Sequence, residues 1–140
     1  IKNQDELLNT LKEEKIDFIV LAGYHAILGK ELIDNYQNKI NNIHPSLIPS
    51  FCGPGMYGLH VHEAVLERGV KVSGATVHFV SEEVDGGPII WQEAVSIADL
   101  ETPEDIQKRV LEVEHKILPE VVQWICDGKV VIEKGRVKIR

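Results

Sequence analysis

The sequence has few cysteines, and it lacks an excess of basic residues. Its 140 residues include two cysteines, Cys52 and Cys126, with no CxxC spacing, which excludes a disulfide framework and a zinc ribbon. Lysine and arginine number 15 against 22 acidic residues, for a formal net charge of −7. We therefore expect no non-specific binding to nucleic acid or to an anionic membrane, since both require a basic surface.

Long hydrophobic runs are also missing. The longest apolar run, residues 16–22, is interrupted by Asp17 and is too short to span a bilayer. No signal peptide is recognisable, and reduced cysteines are typical of the cytoplasm, so a cytoplasmic location is expected. Hydrophobic residues make up 44% and charged residues 26%, an ordinary globular composition at a length that suits one domain.

The order of hydrophobic patterns predicts an α/β fold. Residues 5–14 and 30–36 have helical spacing, whereas 17–23 and 39–43 have the composition of strands. The continuous apolarity of 17–23 predicts a strand buried on both faces. We therefore expect a doubly wound, Rossmann-like, mostly parallel sheet flanked by helices.

The second half of the chain adds a helix at 60–68, strands at 72–80 and 89–97, a helix at 103–126 and a hairpin within 128–140. The short turn between the two strands suggests an antiparallel pair, and Pro119 is expected to kink or divide the long helix. The hairpin is expected to be peripheral. Residues 44–58 form a long irregular stretch, and ordered loops of this length are usually functional.

Asn42-Ile-His-Pro-Ser-Leu-Ile-Pro49 is the strongest candidate for chemistry. His44 follows a predicted strand, at the sheet edge where open α/β sheets bind ligands. Asn42 and His44 are two residues apart, so their side chains point to the same side of an extended segment. Acyl or formyl transfer to an amine needs an amide donor for the carbonyl oxygen and an imidazole that moves a proton. A capping Asn and a structural His explain the spacing equally well.

Asp85, in the segment 83–88, has two interpretations. An Asp before two glycines is most often a turn residue, and the sequence alone favours that interpretation. Alternatively, Asp85 lies near His44 and raises the pKa of that imidazole by roughly 1–3 units.

The other histidines give weaker signals. His60 and His62 form an HxH without further ligands at metal spacing, so a loop-to-helix position with one His exposed is expected rather than a metal site. His78 is interpreted as a satisfied core histidine, and His25 and His115 as surface or supporting residues.

Four segments occurring in order, 42–49, 58–62, 73–80 and 84–90, resemble the phosphoribosylglycinamide formyltransferase family. The resemblance extends from residue 17 to residue 124. It implies transfer of a formyl group from 10-formyltetrahydrofolate to the amine of glycinamide ribonucleotide, in de novo purine biosynthesis. No metal is implied. The sequence does not determine the oligomeric state, and a homodimer is compatible with it.

The resemblance implies catalytic roles for Asn42, His44 and Asp85. Asn42 would donate to the formyl oxygen, and His44, as imidazolium, would stabilise the oxyanion and share in proton transfer. Asp85 would keep His44 charged and orient a water. The remaining implied contacts are Glu114 for the substrate and a folate pocket of His25, Ala26, Ile27, Leu28, Asn42, Ser81, Glu82, Glu83, Val84 and Asp85.

This chain departs from the family in two respects. The N-terminal strand and Gly-Ser-Asn loop that bind the substrate phosphate are not in the sequence, and Ala26 stands where the family often has a basic residue. We therefore expect residues 1–140 to be the C-terminal, folate-binding and catalytic part of one formyltransferase domain, with better affinity for the folate than for the ribonucleotide. Activity of this part alone is not implied, since the phosphate-binding loop is missing from it.

Three other functions are alternatives to formyl transfer to glycinamide ribonucleotide. Formyltetrahydrofolate hydrolase shares the character of 67–71 and 73–76, but such hydrolases usually have a second His where Pro45 stands. Methionyl-tRNA formyltransferase shares Asn-x-His-Pro-Ser-Leu, but its RNA-binding extension and basic charge are absent from this sequence. The third alternative is a ligand-binding fragment without catalysis.

Overall fold

Helices and strands alternate along the first half of the chain, as the hydrophobic patterns predict. The computed structural model describes residues 4–24 and 27–140. Its elements are α1 (Gln4–Glu13), β1 (Ile19–Leu21), α2 (Lys30–Asn35), β2 (Ile40–His44), α3 (Leu59–Arg68), β3 (Val72–Phe79), β4 (Ile89–Ser96), α4 (Pro103–Cys126), β5 (Val130–Glu133) and β6 (Arg136–Ile139).

The main sheet has the strand order β1-β2-β3-β4. Strands β1 and β2 pair in parallel, whereas β2 with β3 and β3 with β4 are antiparallel. The α/β class and the antiparallel β3–β4 pair are therefore confirmed. Within the described residues the sheet is mixed rather than mostly parallel, because β3 runs antiparallel to both of its neighbours, β2 and β4.

Strand β1 is shorter and more exposed than the sequence predicts. Only Ile19–Leu21 are extended, and Val20 is 39% exposed. The prediction of a strand buried on both faces is wrong for this segment. Among the described residues β1 has a paired neighbour on one side only, so its apolar side chains lack the cover that a central strand receives.

Two apolar cores lie on opposite faces of the sheet. Ile40 and Ile43 lie three positions apart on β2, an odd spacing, and therefore point to opposite faces of the sheet. Ile43 belongs to the larger core with residues of α3 and α4, and Ile40 packs with Leu8 of α1 and Leu32 of α2. The sheet is thereby fixed between two helical layers.

Helix α4 begins at the cap that the sequence predicts. The Thr102 side chain accepts a hydrogen bond from the Asp105 N–H at 3.1 Å, and Pro103 occupies the first helical position. Its buried stripe consists of Ile106, Val110, Val113, Ile117 and Val121. The helix continues through Pro119, which does not divide it. Pro119 is exposed, so the carbonyl that it leaves without an N–H donor can be hydrated.

The C-terminal residues form a separate two-stranded antiparallel sheet of β5 and β6. Its apolar side chains, among them Ile132 and Val137, are partly buried against the larger core. The hairpin thus extends that core. Among the described residues, no helix is both long enough and apolar enough to cross a membrane.

Candidate active site

The register of β2 against β3 brings polar side chains together at one end of the sheet. Asn42 pairs with His78, and His44 pairs with Thr76. Asn42 Nδ2 lies 3.5 Å from His78 Nε2. His44 is the last residue of β2, and its side chain is buried, as is that of His78. Directly opposed residues share a face of the sheet, so these four side chains lie on the same side.

The loop after β2 fixes which nitrogen of His44 carries a proton. Nε2 lies 2.9 Å from the Phe51 carbonyl oxygen. A carbonyl oxygen only accepts, so Nε2 donates, and in the neutral ring Nδ1 has the lone pair. Phe51 has a φ of 52°, a left-handed conformation unusual for a bulky residue. Its carbonyl also accepts from the Ser46 hydroxyl at 3.2 Å.

Thr76 anchors the same loop to β3. Its Oγ1 donates to the Ser46 carbonyl at 2.7 Å and accepts from the Ile48 N–H at 3.1 Å. Gln92 of β4 donates both to Thr76 Oγ1 and to the Ile48 carbonyl, at 3.0 and 2.8 Å. The backbone that orients His44 is therefore tied to two neighbouring strands.

Asp85 is both a turn residue and a member of this cluster. Its φ of 55° is the left-handed conformation that Asp tolerates in turns. The carboxylate accepts from the Gly53 N–H at 2.9 Å. Its two oxygens lie 3.7 Å from His44 Nδ1 and 3.7 Å from His78 Nε2, and its side chain is 10% exposed. Asp85 is therefore both a turn residue and a neighbour of His44.

The pKa of His44 departs from the expectation. Burial lowers the pKa of His44, and the hydrogen bond to Phe51 and the charge of Asp85 only partly offset that effect. The charge of Asp85 thus acts in the expected direction, but the expected net rise in the pKa of His44 is wrong, because desolvation of the imidazolium outweighs a carboxylate 3.7 Å away.

Asp85 itself remains an anion. Burial is the largest single influence and raises the pKa of Asp85, but it is outweighed by the contact with His78, the Gly53 hydrogen bond and the attraction of the two histidine rings when they are protonated. The net pKa is lowered. The resting cluster therefore consists of a carboxylate beside a neutral His44.

His60 is exposed, in agreement with the expectation that one His of the HxH pair is exposed, and His62 is buried at 1% exposure. Burial, followed by the charge of His44, lowers the pKa of His62 to about 4. Its Nδ1 has no hydrogen-bond partner among the described residues. In the part of the chain that the structure describes, no three His, Cys, Asp or Glu side chains are grouped so that they could hold a metal ion.

A cleft of about 510 Å³ opens beside this cluster. All the expected site residues that the structure describes line it: Ile27, Leu28, Asn42, His44, Ser81, Glu82, Glu83, Val84, Asp85 and Glu114. His25 and Ala26 lie outside the described residues. The cleft thus brings together side chains from β2, from the turn after β3 and from α4.

Glu114 faces this cleft from α4 and is half-buried. Burial raises the pKa of Glu114 to about 7, and no charged neighbour contributes to the shift. At neutral pH its carboxyl group can therefore either donate or accept a hydrogen bond.

Three further groups of the site are not foreseen from the sequence: the ring of His78, the ring of His62 and the Phe51 carbonyl. The alternation of β3 places His78 on the face of Thr76, which is the signal that the sequence contains. Its position opposite Asn42 depends on the strand register, and the sequence does not specify that register.

Comparison with known proteins supplies an independent result. The model of the family described as "Formyl transferase" matches residues 2–122. A chloroplastic phosphoribosylglycinamide formyltransferase of Arabidopsis thaliana is 47% identical over 89% of this chain. The crystal structure of glycinamide ribonucleotide transformylase 1 from Symbiobacterium toebii is similar at a TM-score of 0.89, with 42% identity over 97% of this chain.

A formyltetrahydrofolate deformylase from Pseudomonas syringae pv. tomato is also similar in structure, with a TM-score of 0.88 and 30% identity over 96% of this chain. The chain spans only part of each relative: 43% of the plant protein, 62% of the Symbiobacterium chain and 44% of the deformylase chain. The similarity therefore concerns a common portion of larger proteins.

Proposed function

The chain belongs to the formyl transferase family, and on that premise we propose that it transfers a formyl group from 10-formyltetrahydrofolate to the amine of glycinamide ribonucleotide, a step of purine biosynthesis. One observation carries the proposal. Asn42, His44 and Asp85 line the same cleft as Glu114 and the described residues of the expected folate pocket. An oxyanion donor, a proton carrier and a fixed anion at one site are what acyl transfer to an amine requires.

The folate would occupy the part of the cleft formed by residues 27–28 and 81–85. Ile27 is 68% exposed, so a bound ring system would cover a large apolar side chain that is otherwise hydrated. Glu82 of the turn pairs with Lys30 at 3.1 Å, which ties this turn to α2. The turn and α2 would together form one wall of the folate site.

The reaction begins when the acceptor amine attacks the formyl carbon. A carbon–nitrogen bond forms, and the carbonyl π electrons move to the formyl oxygen. An N–H of Asn42 stabilises the oxyanion, and losing one such donor typically costs about 2.7–4 kcal/mol of barrier. The intermediate collapses when the bond to the folate nitrogen breaks and that nitrogen takes up a proton.

His44 carries the proton between the two nitrogens. Because its pKa is lowered and Nε2 donates to Phe51, the resting ring is neutral, with the lone pair on Nδ1. Nδ1 accepts the proton that the attacking amine loses, and the imidazolium then returns it to the departing folate nitrogen. Asp85, 3.7 Å from Nδ1, stabilises the imidazolium only while it exists. This role replaces that of an imidazolium already present at rest.

Glu114 would contact the ribonucleotide. A half-buried carboxyl with a pKa of about 7 can hydrogen-bond a hydroxyl or the incoming amine without an opposing charge in the protein. The site residues need no metal for these steps. A cytoplasmic location, a homodimer and independence from nucleic acid and membranes remain predictions from the sequence.

Formyltetrahydrofolate hydrolysis is the second candidate, because the deformylase from Pseudomonas syringae has a similar structure. In that reaction water replaces the amine at the same carbon. Pro45 directly after His44 argues against it, as does the higher identity to glycinamide ribonucleotide transformylase.

His44→Ala tests the proposal. We expect the rate of formyl transfer to fall about 10²–10⁴-fold, because the variant lacks the proton carrier. Circular dichroism is the control for folding, since a side chain at the end of a strand contributes little to either core. Near-normal transfer by a folded His44→Ala variant would exclude this mechanism.

A further inference from the structure

His78 is a buried polar side chain that the proposed mechanism does not use. It is 2% exposed on β3 and lies directly opposite Asn42. Its Nε2 is 3.5 Å from Asn42 Nδ2, at the outer limit of a hydrogen bond. Asp85 Oδ1 is 3.7 Å from the same nitrogen, beyond hydrogen-bond distance. The ring thus contacts the side chain that would stabilise the oxyanion.

The other ring nitrogen of His78 fixes the tautomer. Nδ1 lies 2.8 Å from the Phe79 carbonyl oxygen, which can only accept, so Nδ1 donates. In the neutral ring Nε2 is then an acceptor. An acceptor at this position attracts an amide N–H of Asn42 and repels the amide oxygen. The tautomer of His78 therefore determines which end of the Asn42 amide faces the ring.

The carbonyl that anchors His78 is itself held in place. The Phe79 N–H donates to the Pro88 carbonyl at 2.8 Å across the turn between β3 and β4. Gly87 packs directly against the Phe79 carbonyl, with no room for a Cβ atom. His78 therefore has a rigid support.

We propose that His78 is a positioning residue for Asn42. It accepts one N–H of the Asn42 amide and leaves the second N–H for the formyl oxygen. The assignment rests on the proposed function, because the formyl oxygen is the group that the second N–H would meet. Without an acceptor at this position, the Asn42 amide could rotate and present its oxygen to the developing oxyanion.

Nitrogen-15 NMR of the chain tests the contact without any turnover. We expect the His78 ring to carry its proton on Nδ1 and to leave Nε2 unprotonated. In His78→Gln the side-chain oxygen can accept in place of Nε2, so the Asn42 side-chain amide resonances should stay near their wild-type positions. In His78→Leu, of similar size but without an acceptor, they should move.

Ser73→Ala is the matched control, since Ser73 is a buried polar residue on the same strand, paired with Val95 and outside the cleft. It should leave the Asn42 amide resonances unchanged. A proton on Nε2 of His78 would overturn the proposal. Asn42 amide resonances that stay at their wild-type positions in His78→Leu would overturn it as well.

Kinetics test the consequence for catalysis. We expect His78→Leu to lower kcat about tenfold, with KM for 10-formyltetrahydrofolate unchanged and most activity restored in His78→Gln. In an Asn42→Ala background His78→Leu should have less than about a twofold effect, because the group that it positions is gone. Equal losses in both backgrounds would contradict the proposal.

The two measurements separate this inference from the proposed function. If the chain joined to the missing phosphate-binding part transfers no formyl group but the NMR pattern is as expected, the proposed reaction is wrong and the contact between His78 and Asn42 stands. If transfer occurs and depends on His44 but not on His78, the reaction stands and the positioning role is wrong.

Discussion

Besides His44, two side chains of the cleft have pKa values that burial shifts toward the neutral form. The pKa of His62 is lowered to about 4 and that of Glu114 is raised to about 7. A lowered histidine pKa destabilises the folded state as the pH falls below 6.5, because the unfolded chain binds the proton more tightly. A raised glutamate pKa has the opposite effect and destabilises the folded state as the pH rises from 4.5 toward 7.

Glu114→Gln isolates the second effect. The variant should be more stable than the wild type at pH 8, by up to about 3 kcal/mol, because no buried carboxylate has to form. At pH 5 the difference should be small, since the wild-type carboxyl is then protonated in the folded state. Urea unfolding at both pH values measures it, with the exposed Glu112→Gln as control. A difference independent of pH would show that Glu114 is not buried as described.

Asn41 is a buried residue whose side-chain amide makes no hydrogen bond within the described structure. It is fully buried on β2, between Val20 and Phe79 of the neighbouring strands. Neither its Oδ1 nor its Nδ2 has a hydrogen-bond partner among the described residues. A desolvated amide in this state costs free energy that an apolar side chain would not.

Asn41→Leu should therefore stabilise the chain, by about 1–3 kcal/mol in the free energy of unfolding. Leucine has the same branching at Cγ as asparagine but a larger volume, so some repacking offsets part of the gain. Asn41→Ala removes the amide but also leaves a cavity, so it should stabilise the chain less than Asn41→Leu does. A destabilised Asn41→Leu variant would mean that the amide has a partner outside the described contacts.

At the scale of elements, β3 joins the core to the site. Val77 and Phe79 point into the larger core, while Thr76 contacts the loop after β2 and His78 contacts Asn42. Helix α4 does the same from another direction, with a buried stripe on one side and Glu114 in the cleft. The orientation of each element is set by its apolar side chains, and its polar side chains are positioned as a consequence.

The N-terminal cap of α4 tests how far the helix depends on local signals. Thr102→Ala removes the acceptor for the Asp105 N–H and should cost about 1 kcal/mol of stability. Thr102→Ser keeps a hydroxyl acceptor and should lose much less. Thermal unfolding of the two variants measures the difference. Equal losses would show that the methyl group of Thr102, not the cap, stabilises the helix start.

The sequence predicts the helices, the strands and the residues of the candidate site. It predicts less well which strands pair and how the pKa values of the site shift. The α4 stripe and the position of His44 at the end of β2 follow from local patterns, so they can be read from consecutive residues. The mixed sheet, the exposure of Val20 and the contact between His78 and Asn42 depend on which strands become neighbours. The lowered pKa of His44 depends on burial, which no local pattern specifies.

For the whole molecule, net charge cannot provide the affinity. The chain has a formal charge of −7, and four acidic side chains, Glu82, Glu83, Asp85 and Glu114, line the cleft. Both proposed substrates are anionic, so the general field of the protein opposes their approach. Binding must come from directed hydrogen bonds and apolar contacts within the cleft.

The fate of a labelled formyl group tests the central claim most directly. A protein that joins this chain to the N-terminal strand and Gly-Ser-Asn loop expected for the family is incubated with 10-formyltetrahydrofolate, with and without glycinamide ribonucleotide, and the formyl carbon is followed by NMR. We expect the label to move to the amine only when the ribonucleotide is present, and the movement to stop in His44→Ala. Release of formate at the same rate without the ribonucleotide, or no consumption of the folate in its presence, would contradict the account.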